Sequence, residues 1–377
     1  MKKHLLRLAF INGLLFLSIC IFAQEYSDFY FTRVNGENGL SESNVKAILQ
    51  DSYGFMWFGT KNGLNRYDGT SILQFDCDDL EEGTGNHNIG ALFEDKERNL
   101  WVGTDRGVYI YNPAVDVFKR FKIASSEGIT LDNWVAEILS DSLDNIWVLI
   151  PDQGLFRYKD GKVHHYSLID KDNLKNNNPE CICINEQGEV WVGTSGIGLF
   201  KYNYRDDNFE QYLTDRMGRS LIDKTIISIC FQKENAILGI HEGDLLKYNT
   251  RTDELSEVSF LGEKKTFLRD VMCFGDEIWV GSLHGIFIIN EKENNVIHLK
   301  EDLMRSFSLS DNSIYSIYKD YEGGIWIGTM FGGVNYLPNR ILTFAKYVPG
   351  SDPYSLNTKR IRGLAEDNNG CIWIGTE

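Results

Sequence analysis

The sequence predicts an all-β protein, a seven-bladed β-propeller of four-stranded blades followed by the start of an eighth repeat. One tryptophan per unit recurs along the chain, and short strand-like runs bounded by turn residues fill each interval. A period of 40 to 50 residues rich in short strands is typical of a propeller with one blade per repeat. The gaps between these tryptophans are 44, 46, 44, 88, 47 and 47 residues, for Trp57, Trp101, Trp147, Trp191, Trp279, Trp326 and Trp373.

The gap of 88 residues spans two periods. Halfway through it, the run AILGIHEGDLLKYNT is a degenerate copy of the repeat, with Leu238 at the tryptophan position. Seven complete units and part of an eighth therefore cover nearly all of the chain after its N-terminal segment. Helical periodicity is absent outside that segment.

Each unit divides into four strand-like pieces, which we call A to D from the innermost outward. In the first unit these are NVKAILQD, GFMWFGT, GLNRYD and TSILQFD. An Asp six residues before the tryptophan predicts a tight A–B turn, because Asp side chains bond the backbone two residues on. The glycine two residues after the tryptophan is expected to permit close approach of the neighbouring blade. Residues 25–40 are predicted to supply an outer or closing strand.

The N-terminal residues 1–23 are predicted to be a signal peptide. Three basic residues precede an apolar run, and Ala23 offers a small residue for cleavage. No other apolar run approaches the roughly 18 residues that span a bilayer. We therefore expect export to the periplasm, with a propeller over residues 24–350 and an incomplete first blade of a second propeller over residues 351–377.

Composition excludes several partners. The net charge of −16 argues against nucleic acid, which needs a basic surface, and against docking on an anionic membrane. Six cysteines follow residue 23, and most lie in apolar strand-like runs, which favours buried free thiols over disulfides. The adjacent pair His164 and His165 has no ligand-spaced partners, so neither a metal site nor a cofactor is predicted.

The phrase GLSESNVKAILQDSYGFMWFGTKNGLNRYDG resembles the first blade of the two-component regulator propellers of Bacteroidetes hybrid sensors. The resemblance covers the seven units. It implies two propellers followed by a small β-sandwich, a membrane span and a histidine kinase, with the propellers detecting oligosaccharides and the full-length sensor forming a homodimer. This chain stops in strand B of its eighth unit, so it is expected to be a fragment or truncated product and not itself an enzyme. Membrane attachment is expected only through later segments or an uncleaved signal.

Candidate ligand-binding residues come from the exceptions to the repeat. In an up-and-down blade the D–A and B–C loops emerge on one face, and the B–C loops differ from blade to blade, as specificity-bearing loops do. Counting back 13 residues from each tryptophan position gives a mostly small and polar ring in which Trp134 is the exception. The predicted site comprises Trp134, Lys61, Asn62, Arg106, Gln153, His284, Asn44 and Asn88.

Other interpretations remain open at this point. Trp134 either stacks on a sugar ring or fills a gap in the central channel. The chain is a sensor module, a standalone carbohydrate- or protein-binding propeller, or a polysaccharide-degrading enzyme. For an enzyme, the inward-facing acids Glu137 and Asp270 could form a general acid/base couple, but contact with channel water is favoured because they lie in non-adjacent blades.

Overall fold

Short segments of alternating buried and exposed residues form antiparallel sheets throughout the computed structural model. It describes residues 29–76, 88–122, 128–168, 178–212, 215–260, 266–305, 307–339, 349, 355–358 and 360–377. Across these ranges the only helical element is a 3-10 turn at Gly36–Asn38. No helix in the described part is long and apolar enough to cross a membrane. The predicted signal peptide lies outside the described residues.

Seven four-stranded units follow one another along the chain. The first strand is β1 (Thr32–Val34). Blades 1 and 2 comprise β2 (Val45–Gln50), β3 (Met56–Thr60), β4 (Gly63–Tyr67), β5 (Ile72–Phe75), and β6 (Ile89–Glu94), β7 (Leu100–Thr104), β8 (Gly107–Asn112), β9 (Val117–Arg120). Blades 3 and 4 comprise β10 (Glu137–Ser140), β11 (Ile146–Ile150), β12 (Gly154–Lys159), β13 (Lys162–Tyr166), and β14 (Pro179–Ile184), β15 (Val190–Ile197), β16 (Leu199–Asn203), β17 (Asn208–Tyr212).

Blades 5 and 6 continue the same order of strands. They comprise β18 (Ile222–Gln232), β19 (Asn235–Ile240), β20 (Leu245–Asn249), β21 (Glu254–Glu257), and β22 (Leu268–Phe274), β23 (Glu277–Ser282), β24 (Gly285–Asn290), β25 (Asn295–Leu299). Blade 7 comprises β26 (Ile314–Lys319), β27 (Ile325–Thr329) and β28 (Val334–Leu337) together with β1, and a final hairpin is formed by β29 (Ile361–Glu366) and β30 (Ile372–Thr376). The predicted all-β propeller architecture is confirmed.

The N-terminal strand closes the ring. β1 pairs antiparallel with β28, so that Thr32 lies opposite Tyr336 and Val34 opposite Val334. Each blade packs on the next, and the inner strand of blade 7 packs on the inner strand of blade 1. The last blade therefore takes its outer strand from the start of the chain, which confirms the expected closing strand.

The repeated glycine of strand B permits this packing. A Cβ added to Gly59 would lie 2.6 Å from the Ile89 side chain of the next blade, and one added to Gly103 would lie 2.6 Å from Val135. The backbone of each glycine is thus in contact with a side chain of the next blade, and a larger residue there would force the two blades apart. The glycines belong to the architecture, as predicted.

The repeated Asp and Trp form one local unit. Asp51 accepts hydrogen bonds through Oδ1 from the backbone N–H groups of Tyr53 and Phe55, at 3.0 and 2.9 Å. Its Oδ2 accepts a 2.7 Å hydrogen bond from Nε1 of Trp57, which is 2% exposed. Leu238 takes the buried tryptophan position in blade 5, as the degenerate repeat predicts.

Two neighbouring pairs of blades carry additional links. The long strands β15 and β18 pair with each other, which joins blades 4 and 5 into one eight-stranded sheet. A disulfide joins Cys230 of blade 5 to Cys273 of blade 6. The preference for free thiols is therefore wrong for these two residues, because adjacent inner strands bring their Cα atoms within 5.7 Å. Cys181 and Cys183 are free.

The hairpin of β29 and β30 repeats the A–B unit outside the ring. Asp367 accepts a 3.0 Å hydrogen bond from Nε1 of Trp373, which matches the geometry within the blades. Trp373 is nevertheless 66% exposed. That this hairpin begins a second propeller stays a prediction.

Candidate functional site

The B–C loops and the starts of the inner strands share one face, which we call the loop face; the A–B and C–D turns form the opposite turn face. Lys61, the first residue of the blade 1 loop, donates its backbone N–H to the carbonyl of Asn44 at 3.1 Å. Asp105 donates in the same way to Asn88 in blade 2, also at 3.1 Å. These contacts bring the predicted ring of residues and the variable loops together.

A hydroxyl at the end of strand B organises most of these loops. Thr60 donates through Oγ1 to the carbonyl of Gly63 at 2.9 Å and accepts from the N–H of Asn62 at 3.1 Å. Thr104 makes the equivalent contacts in blade 2. Blade 3 has Ile150 at this position, and there Gln153 donates its N–H to the Ile150 carbonyl at 2.9 Å instead.

Trp134 departs from its counterparts in position as well as in type. The neighbouring Val135 donates its N–H to the carbonyl of Thr104, in blade 2, at 3.0 Å. The indole therefore lies over Gly90 of blade 2, where an added Cβ would be 2.6 Å from ring atoms Cζ2 and Cη2. Nζ of Lys46, in blade 1, lies 4.5 Å from the ring centroid. The partly exposed indole thus spans the inner strands of three blades.

Three predicted site residues carry buried side-chain oxygens with no hydrogen-bond partner among the described residues. They are Oδ1 of Asn44, Oδ1 of Asn88 and Oε1 of Gln153. A buried polar atom without a partner costs about 1–3 kcal/mol, so such atoms are normally met by water or a ligand. Blades 1 to 3 thus each carry one buried acceptor that no described residue satisfies.

The other predicted residues lie in different blades. Lys61, Asn62 and Arg106 are exposed at loop tips of blades 1 and 2. His284 belongs to blade 6, where its Nδ1 lies 2.6 Å from Oγ1 of Thr266. The structure thus places the candidates of blades 1 to 3 on the loop face, and His284 on the same face in blade 6.

Sequence reasoning missed the residues next to Trp134. Counting back eleven residues from each tryptophan, two fewer than for the predicted ring, reaches Lys46, Gly90, Glu180 and Tyr315. The shorter A–B turn of blade 6 puts Arg269 at the same level. Arg269 Cζ lies 5.7 Å from the Tyr315 ring centroid, and Lys46 Nζ lies 6.0 Å from it. Repeat counting could have placed these residues at one level of the channel, but the contacts between their side chains follow only from the closed ring.

The inward acids are bound to neighbouring blades. Glu137 Oε2 accepts from the N–H of Ile182 at 2.7 Å, and Asp270 Oδ2 accepts from the N–H of Ile317 at 2.8 Å. Ser228 donates to the other oxygen of Asp270 at 3.1 Å. Burial raises the pKa of Glu137 to about 8 and that of Asp270 to about 6, against these hydrogen bonds. Both acids thus satisfy backbone donors of the next blade, a role that the sequence analysis did not predict, and their contact with channel water stays a prediction.

Two clefts lie away from Trp134. One of about 450 Å³ on the loop face is lined by Arg33, Glu37, Ser310 and Phe331, among others. A second, of about 730 Å³, is lined by residues of β19, β20 and β21 and their surroundings. Within the described ranges no three His, Cys, Asp or Glu side chains are grouped as a metal site. His165 lies in β13, with Nε2 2.6 Å from the Gln153 carbonyl oxygen.

Comparison with known proteins agrees with this architecture. Residues 39–62, 83–106, 308–331 and 355–377 match the family model of the two-component regulator propeller. A curated histidine kinase, P4 of Formosa agariphila, is 27% identical over 233 residues, which are 59% of this chain and 17% of that protein. The chain therefore spans a small part of this relative.

Solved structures extend the likeness to most of the chain. The extracellular domain of a hybrid two-component system of B. thetaiotaomicron is 25% identical, with a TM-score of 0.71, over 92% of this chain and 47% of that one. PorZ, a surface component of the type-IX secretion system of Porphyromonas gingivalis, matches at 17% identity and a TM-score of 0.60, over 81% of this chain and 47% of that one. The second likeness concerns the fold alone.

These matches are to propeller repeats and extracellular domains, which confirms the expectation that the chain is not itself catalytic. They also agree with a location outside the cytoplasm. The chain therefore contains repeats of the two-component regulator propeller and has the fold of the extracellular domain of a hybrid two-component system.

Proposed function

We propose that this chain is the ligand-sensing propeller of a hybrid two-component sensor and that it recognises an oligosaccharide in the periplasm. The observation that carries the sensor role is the likeness to an extracellular domain of such a system over 92% of the chain. The chain covers 47% of that domain and 17% of the curated kinase. The kinase activity therefore belongs to the proposal for the longer protein.

The arrangement around Trp134 supports a sugar as the ligand. Aromatic rings offer an apolar surface and sugars have an apolar ring face, while sugar hydroxyls donate hydrogen bonds to amide oxygens. Asn44 and Asn88 supply buried oxygens without partners on the two blades beside the indole. A sugar ring on Trp134 would bring hydroxyl donors to these oxygens.

Export and signalling complete the proposal. The predicted signal peptide would direct the chain to the periplasm, an oxidising compartment in which a disulfide such as Cys230–Cys273 persists. Ligand binding is proposed to favour one arrangement of a homodimer over another and so to bias a kinase across the membrane. The kinase step of this proposal comes from the likeness to the curated histidine kinase.

The test is a panel of oligosaccharides screened by the rise in melting temperature that a bound ligand causes. Trp134→Ala is expected to weaken the binding of any hit about tenfold or more in calorimetry, because the stacking surface is lost. Phe331→Ala is the matched control, since Phe331 is also an exposed aromatic of the loop face, at 70% exposure in blade 7. Equal affinity of Trp134→Ala and the parent would refute this site, and a panel without any hit would refute the sugar ligand.

A further inference from the structure

The mouth of the channel carries an asymmetric set of charges. At the level of Lys46, the described side chains are cationic or aromatic on blades 6, 7 and 1, namely Arg269, Tyr315 and Lys46. Glu180 is the acid at this level, and it comes from blade 4, across the ring. The chain as a whole has a net charge of −16, so a local group of cations at its centre is unexpected.

These cations are not neutralised by the protein. In the described part of the chain, Lys46, Lys61 and Arg269 have no carboxylate within ion-pair distance. Burial lowers the pKa of Lys46, and the nearby charges of Lys61 and Arg269 lower it further, whereas Asp105 opposes the effect. The ammonium of Lys46 instead rests against the Trp134 and Tyr315 rings, at 4.5 and 6.0 Å from their centroids. A cation held between aromatic rings remains available to an anion.

Among the described residues, the acids near the mouth form no ion pair with Lys46 or Arg269. Glu180 faces Ser195 and Asp152, and burial raises its pKa. Glu137 and Asp270 lie deeper, where both accept hydrogen bonds from backbone N–H groups. Asp105 lies at the tip of the blade 2 loop, with its N–H bound to Asn88. The positive side of the mouth therefore lies against Trp134, through the contact between Lys46 and the indole ring.

We infer that the ligand is an acidic oligosaccharide, with one sugar ring on Trp134 and a carboxylate or sulfate substituent bound by Lys46 and Arg269. This inference rests on the proposed function, because it names the class of sugar that the same site takes. A long, densely charged polyanion fits less well, since the overall negative charge repels it while the mouth offers only a few cations. A short oligosaccharide with one or two anionic groups is compatible with the overall negative charge and with the small number of cations at the mouth.

The experiment measures binding to the chain by calorimetry with size-matched neutral, uronate-containing and sulfated oligosaccharides. Acidic members are expected to bind at least about tenfold more tightly than neutral ones, with the difference shrinking at high salt. Lys46→Met keeps the length of the side chain and is expected to weaken acidic binding about tenfold more than it weakens neutral binding. Arg269→Gln is the second variant, and it removes a charge from an exposed side chain.

Lys292→Met is the control, because Lys292 carries the same charge on the turn face, where it pairs with Asp276 at 2.7 Å. A preference for uronate or for sulfate supports the inference and identifies the group. Tight binding of neutral members, unaffected by Lys46→Met, overturns the inference and leaves the proposed function standing. Binding of inorganic sulfate or acetate as tight as that of the acidic sugars also overturns it. Absence of all sugar binding removes the proposed function itself.

Discussion

The two faces of the ring are built from the same repeat but treat their polar groups differently. On the turn face, Asp51 and Asp141 each bond a tryptophan and the backbone of their own turn. On the loop face, Asn44 and Asn88 present buried oxygens without partners in the described part of the chain. The carboxylates of Asp51 and Asp141 are satisfied internally and stabilise the fold, whereas the oxygens of Asn44 and Asn88 have no partner among the described residues.

This difference separates stability from recognition. Changes on the turn face should lower the free energy of unfolding without a specific effect on ligand affinity, and changes around Trp134 should do the reverse. The predictions below test that separation, beginning with the largest expected effect.

Asp141→Ala should lower the free energy of unfolding by about 3 kcal/mol, because two buried donors and a partly exposed tyrosine hydroxyl lose their acceptor. Trp147 Nε1, Asn145 Nδ2 and Tyr204 Oη lie 3.0, 2.7 and 2.9 Å from Asp141 Oδ2. Urea unfolding measures the loss. Asp367→Ala is the control, since it breaks the same Asp–Trp hydrogen bond in an exposed hairpin and should change stability little. Equal losses would mean that local hydrogen bonding, not burial, sets the stability of the turn face.

Gly90→Val should cost about 2 kcal/mol and also abolish tight ligand binding. The new Cβ would lie 2.6 Å from the Trp134 ring and 2.4 Å from the Val135 carbonyl oxygen, so the indole must leave its position. Unfolding and calorimetry on the same preparation separate the two effects. A variant that lost stability but bound ligand normally would show that the position of Trp134 is not needed for recognition.

Glu137→Gln should produce the smallest change, and one that depends on pH. The folded-state pKa of Glu137 is about 8 against an ordinary value of 4.5, so its contribution to stability is complete below pH 4.5 and is lost as pH rises through 8. Gln keeps an acceptor for the Ile182 N–H without the charge. At pH 8.5 the variant should be more stable than the parent by about 1 kcal/mol or more, and at pH 4.5 the two should coincide. Parallel pH profiles would contradict the raised pKa.

The scaffold could be predicted from the sequence because its contacts are local or repeated. The Asp–Trp turn joins residues six positions apart, and the same spacing recurs in unit after unit, so one pattern locates all blades. The closing strand was also predictable, because a seventh blade with three strands needs a fourth. The disulfide was not, since buried free thiols and paired cysteines have the same sequence pattern until adjacent strands are in place.

The candidate site was predictable only in part. The sequence shows that Trp134 is an exception to the repeat. Its position over Gly90, however, depends on a hydrogen bond from Val135 to Thr104 of the preceding blade. In the sequence, Lys46 and Arg269 look like ordinary surface residues. Their positive charges come close together only when the ring brings three blades to one channel. Side chains that meet across blades follow from closure, which no single repeat encodes.

Closure by β1 also sets an order of assembly. Thr32 and Tyr336 pair across 304 residues, so the seventh blade lacks its outer strand until both ends of the ring have met. Contacts between residues so far apart in sequence form slowly, because closing the long loop between them costs conformational entropy before the contacts can stabilise it. A ribosome or a translocation pore that releases the chain from its N-terminus delivers β1 first and its partner last. Until then the early strand is an open edge, and the time needed to thread the whole ring out determines how long it stays exposed to other chains.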